Sequence, residues 1–193
     1  MIKNSLTLIV IFVLFLSANL KSDINDYFFY KVLPSNSNYG NTGILEIPNA
    51  RFMTPASLRF GISASYPNEF TYLTATPFPR LEATYRYSEI KNRKYGPAIY
   101  SGNQSYKDKG FDIKFGILDE KRFIPAISVG LRDIAGTGLF SSEFIVATKR
   151  IGNFDFTTGL GWGLLGSANN LSNPFTSLSE RFEERSKARS SNG

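Results

Sequence analysis

Three acidic side chains, Asp112, Glu143 and Asp155, lie on segments in which apolar and polar residues alternate. From neighbouring strands two of them could be held about 5 to 10 Å apart, the separation at which paired carboxyl groups hydrolyse a glycosidic bond. Nothing in their spacing demands that convergence, and the same residues serve equally as paired charges on a hydrated face. The remaining catalytic options are few. The chain has no histidine and no cysteine, which removes the Ser-His and Cys-His nucleophiles and the commonest metal ligand. Asp133 precedes Gly136-Thr137-Gly138 without a flanking lysine or a second acidic position, so it reads as a turn rather than a metal or phosphate loop. The sequence therefore assigns no catalytic residue, no metal and no cofactor, and the expectation is a protein that is not an enzyme.

The other charged cluster is basic. In KNRKYGPAIYSGNQSYKDKG (91 to 110), Lys91, Arg93, Lys94, Lys107 and Lys109 face only Asp108, in a chain of formal net charge +6. The stretch reads as a twenty-residue polar loop. Nucleic acid is a poor partner for an exported protein, so anionic glycan or lipid head groups are the candidates for contact with this loop.

The elements that must position these charges are strands. In SLRFGISASY (57 to 66) Leu58, Phe60, Ile62, Ala64 and Tyr66 share one face, and Ser57, Arg59, Gly61, Ser63 and Ser65 the other. FTYLTAT and LEATYRYSEI (81 to 90) follow, broken by Pro77 and Pro79, and Ile44 to Ile47 forms a short strand before them. Four further segments, FDIKFGIL, PAISVGLR, SSEFIVATK and DFTTGLGWGL, alternate in the same way between Phe111 and Leu164. Placed on the wet face, Glu82, Arg86, Asp112, Lys114, Arg132, Glu143, Lys149 and Asp155 would line a hydrated lumen, four acids against four bases. Gly159, Gly161 and Gly163 fall on that face too, which suggests strong curvature or a close backbone neighbour, and Trp162 falls on the apolar side.

The connections alternate between short (Pro77 to Arg80, Asp119 to Arg122, Ile151 to Asn153) and longer (91 to 110, 133 to 138, the segment after Gly166). Bacterial outer-membrane barrels have that rhythm, with strands of about 9 to 11 residues. Met1 to Ser22, with Lys3 ahead of the apolar run LTLIVIFVLFL, reads as a secretory signal. Residues 23 to 42 are then an irregular N-terminal segment, 43 to 166 the strands, and 167 to 193 a polar loop or truncated end. The expected fold is all-β, an antiparallel up-and-down meander of about eight strands forming part of an outer-membrane β-barrel. The alternative is a soluble secreted β-sandwich that binds carbohydrate, with Tyr and Trp as stacking platforms; alternation by itself does not separate the two.

Several stretches resemble the YjbH/GfcD family of exopolysaccharide-associated outer-membrane proteins: GNTGILEIPNARF (40 to 52), LEATYRYSEI, KDKGFDIKFGILDE, FIPAISVGLRDIAGTG, SSEFIVATKR and DFTTGLGWG. The ordered series covers roughly Asn38 to Gly166. The resemblance implies a barrel in the outer membrane of a Gram-negative bacterium that assists secretion or assembly of an extracellular polysaccharide. Its implied partners are outer-membrane lipid, the polysaccharide and other polysaccharide-export proteins. Family members are typically several times longer, so the chain looks like an N-terminal part. Some are lipoproteins, whereas no cysteine is present here.

Overall fold

The computed structural model describes residues 34–166 and 171–182. The signal segment 1–22, and residues 23–33, lie outside the described residues. What is described is all-β. A two-residue pair, β1 (Gly43–Ile44) and β2 (Ile47–Pro48), is followed by β3 (Ser57–Ser65), β4 (Asn68–Phe78), β5 (Leu81–Lys94), β6 (Ser105–Leu118), β7 (Ala126–Arg132), β8 (Ser142–Ile151) and β9 (Phe154–Gly163). The last seven make one sheet in the order β3-β4-β5-β6-β7-β8-β9. Every pair is antiparallel, so the sheet is an up-and-down meander. Its seven strands are the longer segments expected from alternation; the short strand expected at Ile44 to Ile47 is instead the hairpin of β1 and β2. Among the described residues β3 and β9 each pair on one side only, which leaves two open edges.

The two faces of this sheet differ: one exposes large apolar side chains, and the other buries charged groups together with Phe70, Phe144 and Val146. On one face Leu58, Phe60 and Ile62 of β3 are 66%, 70% and 63% exposed, and Leu73, Phe111, Phe115 and Leu160 are also exposed. The other face carries Glu82, Arg86, Asp112, Lys114 and Arg132, none more than 5% exposed. What buries them is the chain from Pro34 to Ala56, here called the strap, which crosses the inner face before entering β3. Its Ser37, Tyr39, Asn41, Thr42 and Ala50 are buried against the sheet.

Several of the strap's bonds reach far along the sequence. Thr74 donates through Oγ1 to the Gly40 carbonyl (2.9 Å), Ser63 through Oγ to the Asn38 carbonyl (2.6 Å), and the Ala50 N–H donates to Thr148 Oγ1 (2.9 Å). Small residues make the fit possible. A Cβ on Gly130 would lie 2.2 Å from the Phe144 ring, which crosses the strand at that point. On Gly161 it would meet Leu165 Cβ at 2.8 Å, a side-chain neighbour where the glycine run suggested curvature or a close backbone.

One expectation is corrected by the strand lengths. The stretch 91 to 110 is not a twenty-residue loop: β5 continues to Lys94 and β6 begins at Ser105, each strand having 14 residues. Only 95–104 connects them, with a single helical turn, α1 (Ala98–Ser101). Backbone pairing, in which Glu89 faces Lys107 and Lys94 faces Ser105, overrides the polar composition.

Candidate functional site: the charged inner face

Glu82 is the centre of the site. It is the second residue of β5, directly opposite Lys114 of β6. Its Oε1 accepts the Thr42 N–H (2.8 Å) and pairs with Lys114 Nζ (3.0 Å). Oε2 accepts the Thr42 hydroxyl and Arg59 Nη2, the latter at 3.1 Å. Lys114 in turn donates to the Arg51 carbonyl (2.8 Å), and its ammonium lies 4.5 Å from the centroid of the Phe52 ring. A carboxylate, an ammonium and a guanidinium are thus joined to strap backbone, the arrangement that lets buried charges persist away from water.

Towards the end of the sheet that carries α1, aromatic rings join the charges. Arg86 Nη1 pairs with Asp112 Oδ2 at 2.6 Å, and its guanidinium lies 5.0 Å from the Tyr39 ring and 5.3 Å from that of Phe140. Arg132 stacks over Tyr39 at 4.4 Å and donates to the Glu46 carbonyl (3.0 Å). Asp112 Oδ1 accepts the Asp133 N–H (2.9 Å), Asp133 Oδ2 accepts the Phe140 N–H (3.0 Å), and Asp108 Oδ1 accepts the Thr137 hydroxyl (2.8 Å). Burial raises the Asp133 carboxyl above its ordinary value, with the nearby carboxylates Asp108 and Asp112 adding to it against the Phe140 N–H and Arg86. Nε and Nη2 of Arg86, Nε and Nη1 of Arg132, Asp108 Oδ2 and Asp133 Oδ1 have no hydrogen-bond partner among the described residues. The inner face therefore keeps unused donors and acceptors of both signs, suited to water or to sugar hydroxyls.

At the opposite end the site opens into a cleft of about 750 Å³ between the strap and the ends of β8 and β9. Arg51 spans it, pairing with Asp155 through Nε (3.2 Å) and Nη2 (2.8 Å) and with Glu120 through Nη1 (2.5 Å). Glu120 also accepts Lys149 Nζ (2.9 Å) and the Arg150 N–H (2.8 Å). Burial by itself would raise the Glu120 carboxyl. The Arg150 N–H, Lys149 and Arg51 together outweigh that and hold it below its ordinary value.

Of the eight charges assigned to the wet face, six lie there: Glu82, Arg86, Asp112, Lys114 and Arg132 buried, and Asp155 at the open rim. Glu143 and Lys149 do not. The register sets Glu143 opposite Leu131 and Trp162, and Lys149 opposite Phe156, on the outer face. The error has a physical source. Phe144, Ile145, Val146 and Ala147 are apolar at both phases, so the segment's charges gave it a phase that pairing with β7 reverses. Glu143 is buried under residues 171–182, where Asn173 Nδ2 donates to it (2.8 Å) and Trp162 donates through Nε1 to the Leu171 carbonyl (3.1 Å). With Glu143 turned outward, Asp112 inside and Asp155 at the rim, the three carboxylates are not brought together.

Sequence reasoning also missed the strap's part in the site, and Arg51, Arg59, Glu120, Asp108 and Asp133. Arg59 alone had a signal, being the one charged residue on the polar side of SLRFGISASY. The basic cluster is split. Lys107 and Lys109 are exposed on the outer face in line with Phe111, Lys91 pairs with Glu69, Arg93 lies 4.2 Å over the Tyr106 ring, and Lys94 donates to Asn103 Oδ1 at 3.1 Å.

Comparison with known proteins agrees with the resemblance read from the sequence. No solved structure matches the chain. The uncharacterized lipoprotein YjbH of Escherichia coli (strain K12) is 42% identical over 152 residues, which covers 77% of this chain and 22% of that relative. The chain thus spans about a fifth of the length of that relative. The profile of the YjbH family, described as an exopolysaccharide biosynthesis protein, matches residues 35–193, from the strap onward. With a match over most of its length, the chain belongs to the YjbH family of exopolysaccharide biosynthesis proteins.

Proposed function

We propose that the chain forms part of the wall of an outer-membrane β-barrel that assists secretion or assembly of an extracellular polysaccharide, without chemistry of its own. One observation carries the reading: the sheet exposes its apolar face and buries its charges. A soluble sandwich does the reverse, because its apolar faces must meet each other to leave water. Among the described residues no second sheet covers Leu58, Phe60, Ile62, Phe111 and Phe115; lipid would. Inside, the buried donors and acceptors of Arg86, Arg132, Asp108 and Asp133 would be met by enclosed water. Seven strands fall short of the roughly eight of the smallest barrels, so at least one further strand would close the gap between β3 and β9.

Fractionation of cells producing the mature protein tests this. The expected result is recovery with outer membranes, released by detergent, together with loss of extracellular polysaccharide when the protein is deleted. Recovery in the soluble periplasm without detergent would overturn it and favour the carbohydrate-binding sandwich.

A further inference from the structure

We propose that the outer face of the β5–β6 overhang is a docking site for the anionic head groups of the surrounding lipid. The inference rests on the membrane reading above. A tilted strand crosses a bilayer in about 9 to 11 residues. At 14 residues each, β5 and β6 exceed the 7 to 11 of the other strands of the sheet, and so overhang. At ~3.3 Å per residue the excess of roughly three to five residues reaches about 10 to 17 Å beyond the apolar band.

The outer face changes character towards the α1 end, over the rows where β6 has run past the end of β7 while β4 still pairs with β5. Along β6, Ile117, Phe115, Ile113 and Phe111 give way to Lys109 and Lys107; along β5, Leu81, Ala83, Tyr85 and Tyr87 give way to Glu89 and Lys91. Tyr85 and Phe111 sit opposite one another with ring centroids 5.0 Å apart, and the next row sets Tyr87 beside Lys109. An aromatic row followed by lysines suits a membrane interface, where rings lie at head-group level and lysine stems run along them to place the ammonium at the phosphates.

Internal pairing absorbs part of this charge but not all of it. Lys91 is taken by Glu69, Arg93 lies over the Tyr106 ring, and Glu89, which accepts the Ser105 hydroxyl, stands opposite Lys107 without forming an ion pair with it. Asp108, between the two lysines in sequence, points inward and is buried. Lys107 and Lys109 are exposed and have no ion pair or hydrogen bond among the described residues. Charge complementarity then selects an anionic surface, and position beside the apolar band selects lipid over a soluble polymer.

The test uses the full chain and two vesicle compositions, phosphatidylcholine alone and phosphatidylcholine mixed with phosphatidylglycerol. Each lysine near an anionic surface contributes about fivefold to partitioning, so Lys107→Gln with Lys109→Gln should lower the preference for anionic vesicles on the order of 20-fold. Binding to phosphatidylcholine should stay unchanged, and Lys107→Arg with Lys109→Arg should keep the preference. A double Gln variant that retains the anionic preference overturns the proposal. So does a wild-type chain that shows none, or one that binds a soluble polyuronate through these lysines instead. Failure of the wild type to enter phosphatidylcholine vesicles at all would overturn the membrane reading itself, a separate result.

Discussion

Glu82 and Glu120 hold the same strap to the same sheet with similar partners: each takes an arginine, a lysine and one backbone N–H. They differ in their access to water. Glu82 is 1% exposed beneath the strap, whereas the Glu120 side chain is 21% exposed at the rim. Removing a buried counter-ion strands the charge it faced, while at the rim water and salt take its place. The strap should therefore be fixed at its middle and yielding at the end that opens into the cleft.

The strongest way to break that contrast is Glu82→Ala. It leaves the Lys114 ammonium, 2% exposed, and the Arg59 guanidinium without a counter-charge. The expected cost is about 3 to 5 kcal/mol, read by denaturant unfolding of the folded protein in detergent, with new protease cleavage between Ser35 and Phe52. Glu82→Leu combined with Lys114→Met should recover part of the loss, because both buried charges then disappear together. If Glu82→Ala costs no more than Glu120→Ala, burial is not what separates the two sites.

A second contrast lies between neighbours on β6, Ile113 facing outward and Lys114 inward. Arginine is accommodated among the inner charges, but at a lipid-facing position near mid-membrane it costs ~2 to 4 kcal/mol. Ile113→Arg should therefore destabilise the protein in phospholipid vesicles by that amount in an unfolding titration. A variant as stable as wild type in the bilayer would argue that this face does not meet lipid.

Close packing can be separated from charge at Gly130. A methyl group there would press into the Phe144 ring, and overpacking of this kind costs typically about 1 to 3 kcal/mol. Gly130→Ala should lower the unfolding midpoint, and Phe144→Leu in the same chain should restore most of it. Full additivity of the two changes would mean that the ring simply moves away, and that ion pairs rather than fit hold the strap.

How much of this was legible depended on whether a segment had one clear phase. β3 was, because ten residues alternate without a break and pairing with β4 keeps that phase from Ser57 to Ser65. The ends of β5 and β6 were not, since Lys91, Arg93, Lys107, Asp108 and Lys109 place charge on both faces and erase the alternation. β8 failed for the opposite reason, with apolar residues at both phases. The strap was illegible for a third: its irregular residues are held by partners 40 and 98 positions away, Thr42 by Glu82 and Ala50 by Thr148. Glu82 and Lys114 could be placed on a common face by periodicity, but that a strap would cover them could not.

The smallest effect tests the yielding end. Glu120→Gln should cost under about 1 kcal/mol at neutral pH, since an ion pair that water reaches at the rim is partly screened by solvent. Its pH dependence says more than its size. The Glu120 carboxyl lies below its ordinary value of 4.5 in the folded protein, so its ionised form favours the fold above that pH. That contribution disappears as the pH falls through the depressed value. Protection of the Arg51 and Arg150 amides, read as hydrogen exchange relative to the intrinsic rate at each pH, should accordingly fall as the solution is taken from neutral to about pH 3. Glu120→Gln should remove most of the acid step at Arg150 while leaving Thr42 unchanged. Simultaneous loosening at Arg51 and at Thr42 in the wild type would mean that the strap is released as one unit, and that the rim is no softer than the middle.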